Sequence, residues 1–204
     1  MRSLLEGGTD GNEQLTAATG VVLLVLLAVL GVTIVFIGQL IALHLFLGLL
    51  LIGPVLMKLA STGYRFIRYY ARNAGYRLRG PPELPLRLIA PMVIVSTGVV
   101  FISGCLLLFD GPASRGSWLE LHKVSFIVWL VFTSLHVLGH LQRLPASLRI
   151  RTELGAAPPG RVGRALGLIA PILVGAVLAV ALIPQYGPWE APGALHHHHR
   201  DESG

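Results

Sequence analysis

From Val21 to Met57 the chain runs 37 residues with almost no polar side chain, and this stretch limits what the rest can fold into. As one helix it would be about 55 Å long at 1.5 Å per residue, whereas the hydrocarbon core of a bilayer needs about 30 Å. The run therefore reads as a hairpin of two helices, about 17–37 and 40–60. Gly38-Gln39 is the expected turn because it joins a permissive backbone to a polar side chain. Pro54 lies inside the second helix, where its missing N–H predicts a kink.

Three more apolar segments follow, at about 88–109, 118–141 and 165–183. Charged residues make up only 13% of the 204, against about a quarter in soluble domains. The mean hydropathy is +0.70. The alternating pattern of a transmembrane barrel strand is absent. The expected fold is an all-α integral membrane protein with five transmembrane helices in residues 16–184. A polar tail at 1–15, expected to be loosely held, precedes them, and a histidine-containing tail at 185–204 follows. The first tail lacks the basic region and cleavage site of a signal peptide, so the first helix is expected to be retained.

Basic residues crowd into two places, Lys58 to Arg87 and Arg143 to Arg164. Placing both in the cytoplasm puts 13 of the 16 Lys and Arg residues inside, with Arg115, Lys123 and Arg200 outside. The N-terminus is then cytoplasmic and the C-terminus extracytoplasmic, in a bacterial-type inner membrane. The same crowding explains the net charge of +6 without nucleic acid, for which no recognition motif is visible. The single cysteine, Cys105, excludes an intrachain disulfide and a cysteine-based metal cage, and reads as a buried structural thiol.

Four histidines fall within these segments, His44 in the second helix and His122, His136 and His140 in the fourth. An ionisable residue in hydrocarbon is costly and marks a functional site by default. His44 and His122 each lie a few residues from the outer side, roughly 6–8 Å below it. Two imidazoles at one level, read as borne by antiparallel spans, are what bis-histidine ligation of a b-type haem requires. Gly48, one turn from His44, and Gly104 on the third helix would let a flat macrocycle approach the backbone. Lys123 and Trp118 at the outer interface are candidate propionate contacts, and Glu120 a candidate to orient an imidazole. His136 points within roughly 40° of His122 about 21 Å further along, with His140 one turn beyond. A second haem there would need a histidine about fourteen residues after His44, and that position is Lys58. Met57 and Met92 are the neighbouring candidates for its sixth ligand.

The segments Leu43-His44-Leu45-Phe46-Leu47-Gly48, Lys58 to Tyr64-Arg65-Phe66, Leu121-His122-Lys123-Val124-Ser125-Phe126 and Leu135-His136-Val137-Leu138-Gly139-His140 resemble the bacterial membrane b-type cytochromes. These include the cytochrome b561-like proteins, the hydrogenase and formate dehydrogenase cytochrome subunits, and the ferric-reductase-like transmembrane proteins. The resemblance covers helices two to four, which would form the core of a cytochrome b-like bundle. It implies electron transfer across or along the membrane, with a redox-partner protein or quinone at its surfaces. Lys58 departs from a two-haem pattern. No glycine fingerprint for a flavin or nicotinamide domain is visible, so donor and acceptor would be separate.

Two other readings stay open. The histidines tie helices together in a haem-free scaffold or complex subunit, or they line a metal or proton conduit. Tyr64-Arg65-Phe66-Ile67-Arg68-Tyr69-Tyr70 reads as an interfacial anchor on anionic lipid. His196–His199 is a compositional run able to take up Zn²⁺, Cu²⁺ or Ni²⁺. No grouping of nucleophile, base and acid marks a self-contained enzyme.

Overall fold

A computed structural model describes residues 8–71, 84–141 and 161–194, and every element in them is helical. In chain order these are α1 (Gly8–Val35), α2 (Ile37–Tyr70), α3 (Leu84–Asp110), α4 (Gly116–Leu141), α5 (Arg161–Ala181) and the single turn α6 (Gly187–Glu190). Short 3₁₀ turns lie at Pro112–Ser114 and Ile183–Gln185. The first five helices are long and apolar enough to cross a membrane. Their outward surface carries the exposed Val, Leu, Ile and Phe side chains that lipid would cover, including Val25, Val95, Ile127 and Val177. Residues 72–83 of the first basic stretch, most of the second, and the tract His196–His199 lie outside the described residues.

The expected hairpin turn at Gly38-Gln39 is a break that straddles those residues. Helical geometry fails at Phe36 (φ −112°, ψ 38°) and again at Leu40 (φ −116°, ψ 23°). The Phe36 carbonyl accepts from both the Gln39 and Leu40 amides, at 3.0 and 2.9 Å, which closes the corner. Between α3 and α4 the reversal uses Gly111 at φ 74°, a left-handed conformation that glycine adopts without strain. Its amide donates to the Leu107 carbonyl at 3.0 Å, satisfying a group the helix end would otherwise orphan.

Two helices exceed their expected bounds. Helix α1 begins at Gly8, so part of the tail expected to be loose is helical, and Asn12 donates to the Ser61 carbonyl on α2. Helix α2 continues to Tyr70 rather than stopping near 60. No proline interrupts Lys58–Tyr70, and Arg68 in the last turn suits the negative end of the helix dipole.

The helices pair as two hairpins, α1 with α2 and α3 with α4, while α5 packs along α2. The α2–α5 crossing has a specific cause. Pro54 has no N–H to offer the Leu50 carbonyl one turn back. Gly175 of α5 sits against that carbonyl so closely that a Cβ there would overlap its oxygen and stand 2.8 Å from its carbon. Gly53 meets the Pro171 backbone in the same way, again with 2.8 Å to the carbonyl carbon. Small residues let the two backbones touch, and a Cα–H can face the carbonyl that proline leaves free.

At the end bearing the two tight turns, Leu49, Leu107, Leu108 and Ala179 cluster with Tyr186 and Trp189 from the C-terminal segment. The chain therefore folds back over the bundle after α5, and Tyr186 donates its hydroxyl to the Ala179 carbonyl at 2.8 Å. We call this the turn end and the opposite one the basic end.

Candidate functional site

Helices α2 and α4 both start at the turn end, so they run parallel. The expectation of antiparallel spans is corrected, because α3 intervenes and restores the direction. His44 lies four residues after Leu40 and His122 six residues after the start of α4. At 1.5 Å per residue they sit about 6 and 9 Å below the turn end. The two half-buried imidazoles lie within electrostatic reach of each other.

Each ring is held by its own hairpin. The Nδ1 of His44 lies 2.9 Å from Thr33 Oγ1 on α1. The Thr33 hydroxyl proton already goes to the Leu30 carbonyl at 2.6 Å, so Thr33 is left to accept and His44 Nδ1 to donate. The Nδ1 of His122 lies 3.1 Å from the Val100 carbonyl, which can only accept, and 3.0 Å from Ser103 Oγ. The Ser103 hydroxyl donates back to the Val99 carbonyl at 2.7 Å. Both imidazoles are thus fixed as Nδ1–H tautomers, and the unprotonated nitrogen in each is Nε2. Among the described residues no hydrogen bond reaches either Nε2.

Thr33 and Ser103 are buried, with 1% and 0% of their surface exposed. Neither stands out in the sequence. Their only signal there is an isolated hydroxyl in an apolar run, which by itself more often bonds back to its own helix. Trp189, in the C-terminal segment, is buried and its indole N–H has no partner within the described residues.

The two glycines have different roles. A Cβ on Gly48 would meet nothing within 4 Å, so space lies open one turn from His44. A Cβ on Gly104 would stand 3.1 Å from the His122 ring. Gly104 therefore makes room for the imidazole rather than for a macrocycle. Lys123 is exposed and paired with Glu120 at 3.7 Å, an ordinary rim contact of i,i+3 neighbours.

The residues at this level fit a haem iron. A ligating histidine typically donates its second nitrogen to a carbonyl or other acceptor, which fixes the ring and its tautomer. Both rings do so here. Helices α2 and α4 are not closely packed, a separation that ligation of one flat group by an imidazole from each helix requires.

The basic end fits a second haem poorly. Lys58 turns toward α1, donating to the Thr16 carbonyl at 2.7 Å beside Gly20. The Met57 methyl lies beside Gly167 of α5, and Met92 is 48% exposed on the bundle surface. His136 instead has the His140 ring edge-on, with centroids 4.6 Å apart. Trp129, which donates to Thr97 Oγ1 at 2.9 Å, separates the two histidine levels along the α3–α4 seam. Among the described residues no three His, Cys, Asp or Glu side chains converge on a point able to hold a metal ion by themselves. No protein-family model, curated protein or solved structure matches the chain.

Proposed function

We propose that this chain is a haem b-binding transmembrane electron-transfer protein, a cytochrome b-like module whose iron is held by His44 and His122. One observation carries the reading. Two imidazoles from parallel, separated helices lie at matched depth, each locked by its own hairpin with Nδ1 protonated and Nε2 uncommitted. The haem would supply reversible one-electron chemistry at iron. The chain's own residues orient the axial nitrogens through Thr33, Ser103 and the Val100 carbonyl. The cluster of Leu107, Leu108, Tyr186 and Trp189 covers the turn end of the bundle and excludes water there.

In this reading the basic end faces the cytoplasm of a bacterial-type inner membrane and the haem lies near the outer face, which the crowding of basic residues supports. Electrons would be exchanged with a redox-partner protein or a quinone, in a lipid setting anchored by Tyr64–Tyr70.

A second reading rests on the same bonds. Because His44 links α2 to α1 and His122 links α4 to α3, the histidines serve as helix fasteners in a haem-free subunit. The visible spectrum of the purified protein separates the two. A Soret band with sharp reduced α and β bands, lost in both His44→Ala and His122→Ala, supports the cytochrome. A colourless protein with full helical content refutes it.

A further inference from the structure

We propose that His136 and His140 form a chelating site for a divalent transition-metal ion at the basic end of α4. The inference is independent of the haem reading, since none of its ligands belongs to the His44–His122 level. Histidines four apart lie on one helix face one turn from each other, the spacing by which a helix offers two nitrogens to one ion. Here the two rings are in contact, with centroids 4.6 Å apart and planes at 63°. The Nδ1 of His136 is buried and has no hydrogen-bond partner among the described residues. A buried polar atom without a partner calls for an explanation, and a bound ion is one of few that fit an imidazole nitrogen.

Neighbouring residues narrow the ligand class. His140 is exposed, in the last turn of α4, so an ion can enter from the adjoining aqueous side. Neutral imidazoles suit Cu²⁺, Ni²⁺ and Zn²⁺, whereas Ca²⁺ and Mg²⁺ need carboxylate oxygens. Helix α4 carries a single acidic residue, Glu120, at its opposite end. With two protein ligands, water fills the remaining positions and the ion stays exchangeable. The segment between the histidines is Val137-Leu138-Gly139, so it lacks the glutamate that accompanies a helical histidine pair in zinc peptidases. Gly139 accommodates Leu86 of α3, which would stand 2.8 Å from a Cβ there and holds this turn of α4 against its partner.

The test uses the full-length chain with His196→Ala, His197→Ala, His198→Ala and His199→Ala, which silences the tail tract. Cu²⁺ alone is the probe, followed by equilibrium titration and by electron paramagnetic resonance. The expected result is a Cu²⁺ signal with nitrogen couplings from two imidazoles. His136→Ala and His140→Ala should each weaken that binding by at least about tenfold. His140 is exposed, and circular dichroism verifies that His140→Ala keeps the helical fold. Copper binding that is unchanged in His140→Ala, or absent from the tail-substituted chain, overturns the site.

Discussion

Removing the Thr33 hydroxyl should loosen haem more than removing the Ser103 hydroxyl, although the two groups do the same job. Among the described residues His44 Nδ1–H has one acceptor, Thr33 Oγ1 at 2.9 Å. His122 Nδ1–H has two, Ser103 Oγ at 3.0 Å and the Val100 carbonyl at 3.1 Å. Thr33→Val preserves the shape of a side chain that is 1% exposed, so it opens no cavity, yet it leaves His44 without an acceptor. Losing such an outer partner typically costs 10–100-fold in metal affinity, or about 1.4–2.7 kcal/mol. Ser103→Ala leaves the Val100 carbonyl in place, so its cost should stay below about tenfold. Thr33→Ser, which keeps the hydroxyl, should recover most of the loss. The assay is titration of haem into apoprotein, followed in the Soret band, for the three variants side by side. Equal losses in Thr33→Val and Ser103→Ala, or a larger loss in the second, would refute the argument that Nδ1 anchoring positions the axial ligands.

Further outcomes follow from other parts of the structure. Gly48→Leu fills open space, so it should leave helicity unchanged while abolishing the Soret band. Gly104→Ala, 3.1 Å from the His122 ring, should instead shift the reduced spectrum by displacing that ligand. Gly175→Ala should cost roughly 1–3 kcal/mol in reversible unfolding, because the overlap is with the Leu50 backbone and no rotamer relieves it. Gly38→Ala, with nothing within 4 Å, should be neutral in the same assay. Burial raises the Tyr186 phenol above its ordinary value. The neutral phenol therefore stabilises the folded state fully below about pH 10, and that contribution is lost as pH rises through the raised value. A phenolate absorbance step above pH 10 that Tyr186→Phe removes would verify this, and titration at the free-tyrosine position would contradict it.

The sequence by itself determined the membrane class and the five helices, because burying a backbone in hydrocarbon allows one local solution and apolar length reports it directly. Depth was also legible, since 1.5 Å per residue from a turn fixes the level of His44 and His122 whatever their neighbours. What only tertiary structure decided is how each ring is held. Thr33 lies eleven residues before His44, and Ser103 nineteen before His122, separations that mean nothing until a hairpin folds. The parallel direction of α2 and α4 likewise depends on the intervening span rather than on any residue. Gly104 and Lys58 carry the same lesson. A glycine records that space is needed but not which neighbour fills it, and a lysine in an apolar run does not say which helix supplies its acceptor. Those answers come from packing between helices distant in sequence, and no local pattern encodes them.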